Sequence, residues 1–210
     1  MDVFALPAPA EIPLDPEHSV RCLGLPPELL PDPPAFEALW ALHPAEFSSI
    51  HMAGRPVQLP RWQRAYGEDY RFSGNVSKAA PMDPLLAPYL AWARAAIDPR
   101  LSGLLVNWYD AERAHHIGKH RDSPIGLVPG APIVTISLGA SRLFRLRPYG
   151  REGDRVDVQV DHGTVLAMPW AVNQRFTHEV PFRPSKDSGR RISVTIRAFD
   201  QAPNGTRRAK

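Results

Sequence analysis

Arg191-Ile192-Ser193-Val194-Thr195-Ile196-Arg197 decides how this chain is to be folded. Successive side chains of a strand point to opposite faces, so Ile192, Val194 and Ile196 share one side while Arg191, Ser193, Thr195 and Arg197 share the other. Burying two guanidinium groups and two hydroxyls on one face of a central strand is costly unless an anion lies against them. The pattern therefore predicts a central strand with an apolar side in the core and a polar side that receives an anion. The alternative is a polar stripe turned to solvent.

Working outward, the same texture extends back to about residue 103. Leu104–Tyr109, Ile133–Leu138, Arg142–Arg147, Val156–Val160, Thr164–Met168, His178–Phe182 and Ile192–Phe199 read as strands, with Gly139, Gly150, Gly153 and Gly163 at their connections. Ahead of them lie two helices, Ala35–Leu42 and Pro84–Ile97, and a short strand at Ser19–Leu23. The predicted fold is mostly β with flanking helices, its strands forming a double-stranded β-helix (jelly roll) that leaves few exposed edges. Residues 101–200 form that core, 1–100 an N-terminal extension packed on it, and 201–210 a flexible tail, all in one folded unit.

With 210 residues, 43% hydrophobic and 22% charged, the chain can build one large core. Its 24 prolines, many of them in the first 90 residues, predict loops and short elements there. Cys22 is the single cysteine and can form no internal disulfide, so a reducing cytoplasmic setting is expected, or a nuclear one in a eukaryote. No basic signal-peptide start and no run long enough to span a membrane is present, and a monomer off the membrane is expected. Net charge is only +3, but Arg supplies 21 of 25 basic residues. Arg61, Arg64 and Arg71 form one cluster, and Arg142, Arg145, Arg147, Arg151 and Arg155 another. Arg favours bidentate phosphate contacts; the competing reading of both clusters is a solvated face.

His116-Ile117-Gly118-Lys119-His120-Arg121-Asp122 and Phe176-Thr177-His178-Glu179 carry the chemistry. On a strand, His120 and Asp122 share a face and can reach one ion, and His178 supplies a third ligand from a neighbouring strand. Two imidazoles and one carboxylate on one side of a metal leave its other side open, the arrangement of non-haem Fe(II) oxygenases. His116 and His120 also have helical spacing, but Gly118 intervenes and no Glu follows His116, which argues against a zinc-protease helix.

Four blocks in order resemble the AlkB family of Fe(II)/2-oxoglutarate-dependent nucleic-acid dealkylases, over roughly residues 45–199. They are Pro60–Gly67 with Tyr70–Gly74, then Asn107-Trp108-Tyr109, then His116–Asp122 leading into Pro132–Gly139, and finally Arg191–Arg197 after His178. The resemblance implies that His120, Asp122 and His178 bind Fe(II). It places Asn107, Tyr109 and Thr195 around 2-oxoglutarate, Arg191 on its distal carboxylate and Arg197 nearer the metal. Phe72 would stack on a flipped base against His120, with Tyr70 touching substrate and Arg61 and Gln63 on an N-terminal nucleotide-recognition flap. The implied reaction uses O2 to demethylate alkylated bases in nucleic acid, DNA ahead of RNA; the alternative is oxidation of a protein side chain or small metabolite.

Three positions depart from the family pattern. Ser123-Pro124-Ile125 follows the metal-binding Asp where an acidic residue is usual. Ser193 replaces the usual Asn on the closing strand. Met52-Ala53-Gly54 holds no aromatic wedge, which predicts a preference for single strands.

Overall fold

A computed structural model describes residues 9–52, 55–72 and 75–200, without the side chains of His51, Met52, Phe72 and Asn75. In chain order, β1 (Ala10–Pro13) and β2 (Ser19–Gly24) precede α1 (Pro33–Trp40). Six short strands follow: β3 (Ser49–Met52), β4 (Arg55–Gln58), β5 (Trp62–Tyr66), β6 (Tyr70–Phe72), β7 (Asn75–Ser77) and β8 (Ala79–Ala80). After α2 (Ala87–Ala96) come β9 (Gly103–Asp110), β10 (Ile117–His120), β11 (Ile133–Gly139), β12 (Arg142–Pro148) and β13 (Val156–Val160). The last elements are β14 (Thr164–Met168), α3 (Trp170–Arg175), β15 (Phe176–Val180) and β16 (Arg190–Arg197).

These strands make two principal sheets. The larger runs β1-β2-β14-β11-β16-β9-β5-β8 and the smaller β10-β15-β12-β13. From β11 onward the chain crosses to the small sheet for β12 and β13, returns for β14, crosses for β15 and returns for β16. That winding is the jelly roll read from the sequence. Its interior is sealed by Val20, Ile133, Leu166 and Met168 from the large sheet against Phe144, Leu146, Val158 and Val180 from the small one. Gly139 ends β11 with a positive φ, and a Cβ there would lie 2.5 Å from the Arg190 carbonyl, so the turn requires glycine.

β16 sits in the middle of the large sheet, between β11 and β9, with Ile192, Val194 and Ile196 fully buried on its outer face. There they meet Leu39 and Trp40 of α1 and Tyr89 and Ala93 of α2. Each such side chain contributes roughly 1.5–3 kcal/mol by leaving water. The α1 helix is started by Asp32, which accepts from the Ala35 N–H, and is anchored where Trp108 Nε1 donates to the Leu39 carbonyl at 3.0 Å. The opposite, polar face of β16 is buried too: Arg191, Ser193, Thr195 and Arg197 turn into the jelly-roll interior, not to solvent.

The N-terminal region differs in detail from its expected form. β2 pairs with β14 and so extends the large sheet, and β5 pairs with β9 as a further strand of it. Residues 45–80, expected to be loops and short elements, form strands of two to five residues, which sequence periodicity is too short to disclose. Met52-Ala53-Gly54 joins β3 to β4, but its tip lies outside the described residues, as do the Phe72 side chain and the tail 201–210. No helix among the described residues is long and apolar enough to cross a membrane.

Candidate active site

His120 ends β10, and its register partner across the ladder is His178 on β15. The sequence places His178 at the start of its strand; it lies in the middle, held between β10 and β12. The two imidazole rings stand 4.3 Å apart, and both Nε2 atoms approach Asp122 Oδ1, at 3.7 Å from His120 and 3.8 Å from His178. One ligand atom from each of the three residues lies within 4.8 Å of the others, the only such metal-ligating group among the described residues. Asp122 is two residues beyond the end of β10 rather than on it, so something other than the ladder must hold it.

That support is Asn173 on α3. Its side-chain oxygen accepts from the Asp122 N–H at 2.9 Å and its amide donates to the Asp122 carbonyl at 3.0 Å. Arg197 then fixes the carboxylate, donating from Nε to Oδ2 at 2.7 Å, with a terminal nitrogen in ion-pair contact with the same oxygen at 2.6 Å. Oδ1 remains toward the histidines and accepts from the Tyr70 hydroxyl at 3.2 Å. Burial opposes charge on Asp122, yet Arg197 and the two imidazoles hold its carboxyl well below the usual carboxylate range. The histidines are driven the other way: burial and the neighbouring cations push His178 down to about 3 and also lower His120. His120 Nδ1 donates to the Gly118 carbonyl at 2.8 Å, which leaves its Nε2 lone pair for a metal. An ionised carboxylate and two neutral imidazoles are the protonation states that a divalent ion requires.

The polar face of β16 continues as the floor of the cavity. Cross-strand partners bring Asn107 and Ser137 beside Ser193, and Thr135 beside Thr195. Arg191 is fully buried, lies beside Tyr109 with its guanidinium carbon 5.1 Å from that ring centre, and donates to Ser137 Oγ at 2.9 Å. Its Nε and a terminal nitrogen have no partner, and one nitrogen of Arg197 is equally unsatisfied. Buried guanidinium donors without acceptors are rare because each costs about 1–3 kcal/mol. A dicarboxylate lying between Arg191 and the metal would supply the missing acceptors, so the residues fit 2-oxoglutarate.

The cavity that holds these groups measures about 410 Å³. Arg61, Gln63, Tyr70, Asn107, Tyr109 and Thr195 all line it beside the triad. Arg61 and Gln63, expected on a flap over the nucleotide, instead stand in the wall formed by the large sheet: Arg61 donates to Asn107 Oδ1 at 2.8 Å and to Gln63 Oε1 at 3.0 Å. Tyr70 is buried against Asp122. Tyr66, in the same block, packs in the outer core. The second arginine cluster is engaged within the protein, with only Arg142 Nε left without a partner among its buried nitrogens. Arg145 and Arg147 pair with Asp157 and Glu179, and buried Arg142 donates to the carbonyls of Ser188 and Gly189. His116 is half-buried and outside the triad, with Nδ1 on the Ala114 carbonyl.

Residues 45–197 match the 2OG-Fe(II) oxygenase superfamily. The chain belongs to that superfamily. Its reactions use Fe(II), O2 and 2-oxoglutarate as co-substrate, and His120, Asp122 and His178 are the residues that would hold the iron, which activates O2 for oxidative decarboxylation of the co-substrate and oxidation of a C–H bond. The chain is 31% identical over 160 residues to the DNA oxidative demethylase ALKBH2 of Mus musculus, covering 71% of this chain and 66% of that protein. It is 30% identical over 159 residues to the alpha-ketoglutarate-dependent dioxygenase alkB homolog 3 of Rattus norvegicus, covering 70% and 52%. The match thus spans from about half to just under two thirds of those relatives' lengths. The solved structure of OsALKBH1 superposes with a TM-score of 0.57 at 14% identity, over 90% of this chain and all of that one, and shows the shared fold.

Asn173 is the functional residue that sequence reading missed. A lone Asn on a six-residue helix carries no periodic or motif signal. Pro169 just before it, with the apolar strand ending at Met168, was the available hint of a helix start.

Proposed function

We propose that this protein is an oxidative demethylase of alkylated bases in nucleic acid, acting on DNA ahead of RNA, as a monomer, and faster on single strands. The observation that carries the reading is where the N-terminal block sits. Arg61, Gln63 and Tyr70, which belong to the segment that sets the AlkB resemblance apart from other oxygenases, line the same cavity as the metal triad. A substrate gripped by that block therefore lies beside the oxidising centre. The name of the Mus musculus relative, a DNA oxidative demethylase, supports the same substrate class.

In the balanced reaction an N-methyl base, O2 and 2-oxoglutarate yield the unmethylated base, formaldehyde, succinate and CO2. Hydroxylation of the methyl group gives an N-hydroxymethyl base whose C–N bond breaks as the hydroxyl proton is lost and the ring nitrogen regains a hydrogen. The chain's own contribution is placement. Arg191 orients the far carboxylate of 2-oxoglutarate, and Arg197 and Asn173 hold Asp122. Tyr70 closes the cavity over the carboxylate, and the buried walls keep bulk water from the reacting methyl group.

Single-strand preference rests on the hairpin segment Met52-Ala53-Gly54, which offers no aromatic ring to replace an extracted base. Unpairing and unstacking cost a few kcal/mol in a duplex and least in a single strand. Initial rates on one methylated oligonucleotide, alone and annealed to its complement at equal salt, test this. The single strand is expected to react faster, and Ala53→Phe to narrow the difference. Equal or faster reaction of the duplex would contradict it.

A further inference from the structure

The walls of the cavity carry an unbalanced charge. Among its described lining residues Asp122 is the sole acid, and Arg61 and Arg197 are buried cations in the wall; Lys119 and Arg121 are exposed at the rim, the Arg121 guanidinium lying on the Tyr149 ring and the Gln174 carbonyl. Asp122 is already committed to Arg197 through a hydrogen bond from Nε and an ion pair with a terminal nitrogen. Arg191 adds a further buried cation behind Tyr109. Fe(II) and the 2-oxoglutarate dianion would cancel one another's charge, so their binding leaves this excess in place. At the position after the triad carboxylate stands Ser123, whose oxygen accepts from the Ile125 N–H, followed by Pro124, so no carboxylate enters the cavity from that side.

The hydrogen-bonding groups point the same way. Gln63 is 3% exposed and its Oε1 is occupied by Arg61. That fixes the amide so that Nε2 is the remaining group, and Nε2 is buried with no partner. An unpaired buried donor is satisfied only by an acceptor brought in from outside, and a donor on the ligand leaves it unmet. At Gln63 this wall therefore offers a donor beside a positive charge, and the side-chain oxygens of Gln63 and Asn107 are already taken by Arg61.

Resting on the demethylase reading above, we propose that the cavity selects neutral N-methylated bases whose methylated nitrogen is flanked by carbonyl groups, and discriminates against cationic methylated bases. Gln63 is the specificity-determining donor and Arg61 the positioning residue that sets its amide. 3-Methylthymine and 3-methylcytosine form a matched pair for the question. Both are pyrimidines with the methyl on the same ring nitrogen, but the first is neutral with a carbonyl on each side of it. The second is cationic and replaces one carbonyl by an amine. A neutral imide meets Gln63 Nε2 with an acceptor, whereas the cation meets Nε2 with a competing donor and the adjacent Arg61 with like charge.

Two single-stranded oligonucleotides identical except for these bases are compared with the iron-loaded protein. Equilibrium binding is measured first, under anaerobic conditions with 2-oxoglutarate, and then kcat/KM from base mass and succinate. The expected result is tighter binding and at least about tenfold higher kcat/KM for 3-methylthymine, and a reduction of that ratio by about tenfold in Gln63→Glu and in Ser123→Asp. Equal or better processing of 3-methylcytosine by the unaltered protein overturns the inference while leaving the demethylase reading standing. A ratio that neither substitution moves would overturn the assignment to this wall. Turnover of neither oligonucleotide would overturn the inference, and the demethylase reading falls with it only if a methylated purine oligonucleotide is also left unchanged.

Discussion

Replacing Arg191 by Met separates what the residue does for the fold from what it does for the co-substrate. The guanidinium is fully buried beside Tyr109, donates to Ser137 Oγ, and leaves Nε and one terminal nitrogen unpaired. Burial accordingly pushes its pKa down to about 10. Each unsatisfied buried donor costs about 1–3 kcal/mol, while the bond to Ser137 returns about 1–1.5 kcal/mol. Met fills similar volume without polar atoms, so Arg191→Met should stabilise the ligand-free protein by about 1–3 kcal/mol. For a domain of this size that raises Tm by about 2–10 °C. Added 2-oxoglutarate should have the opposite ranking. Wild type gains stability with ligand concentration by mass action, and the variant, lacking both charge-assisted bonds, gains almost none. The assay is a thermal melt of metal-loaded, anaerobic protein across a 2-oxoglutarate titration. A variant that melts below wild type without ligand, or that shows the wild-type ligand shift, would refute the reasoning that this cation is held unpaired for an anion.

His120→Ala and His178→Ala should each abolish succinate production with little change in the denaturation midpoint. Asp122→Ala should abolish it too, but with a loss of stability of about 3–5 kcal/mol, because Arg197 is left buried without its partner. Asn173→Ala should weaken Fe(II) binding by about 10–100-fold in a metal titration, since the clamp on the Asp122 backbone is what places that ligand beyond the end of β10; unaltered affinity would show that β10 alone suffices. Acid should destabilise the protein through His115 and His162, whose Nδ1 atoms accept the N–H groups of Asp110 at 3.2 Å and Gly139 at 3.0 Å. Burial lowers both pKa values, so the unfolded chain takes up protons first and stability falls as pH drops below the ordinary histidine range. The slope approaches about 1.4 kcal/mol per pH unit for each group, and urea midpoints at about pH 7.5 and about pH 5.5 should differ accordingly. Identical midpoints would mean that neither acceptor matters.

The catalytic half of the fold was legible because its strands are long and its periodicity is unambiguous. The alternation Arg191–Arg197 placed three aliphatic side chains on the helices and four polar ones in the cavity, and both faces prove buried. His120, Asp122 and His178 could be paired because spacing and strand order bring them together, although the strand-spacing argument for Asp122 was incomplete. It sits past the strand, and the force that returns it to the histidines comes from Asn173, 51 positions away in sequence. Arg61 and Gln63 were expected on a flap over the nucleotide, since nothing in Pro60–Gly67 discloses that β5 joins the large sheet beside β9. Arginine clustering was least informative: composition does not distinguish Arg145, paired across strands with Asp157, from Arg61, buried against an asparagine and a glutamine. Those distinctions are set by long-range register.

The central claim is tested most directly by product stoichiometry. Protein loaded anaerobically with Fe(II) is given 2-oxoglutarate, O2 and a single-stranded DNA oligonucleotide bearing one N-methylated base, with His178→Ala as the control. The account predicts succinate, formaldehyde and demethylated oligonucleotide in equal amounts, the oligonucleotide losing the mass of one methylene, and none of the three from the control. Succinate formed without any change in oligonucleotide mass, across methylated pyrimidines and purines alike, would contradict it.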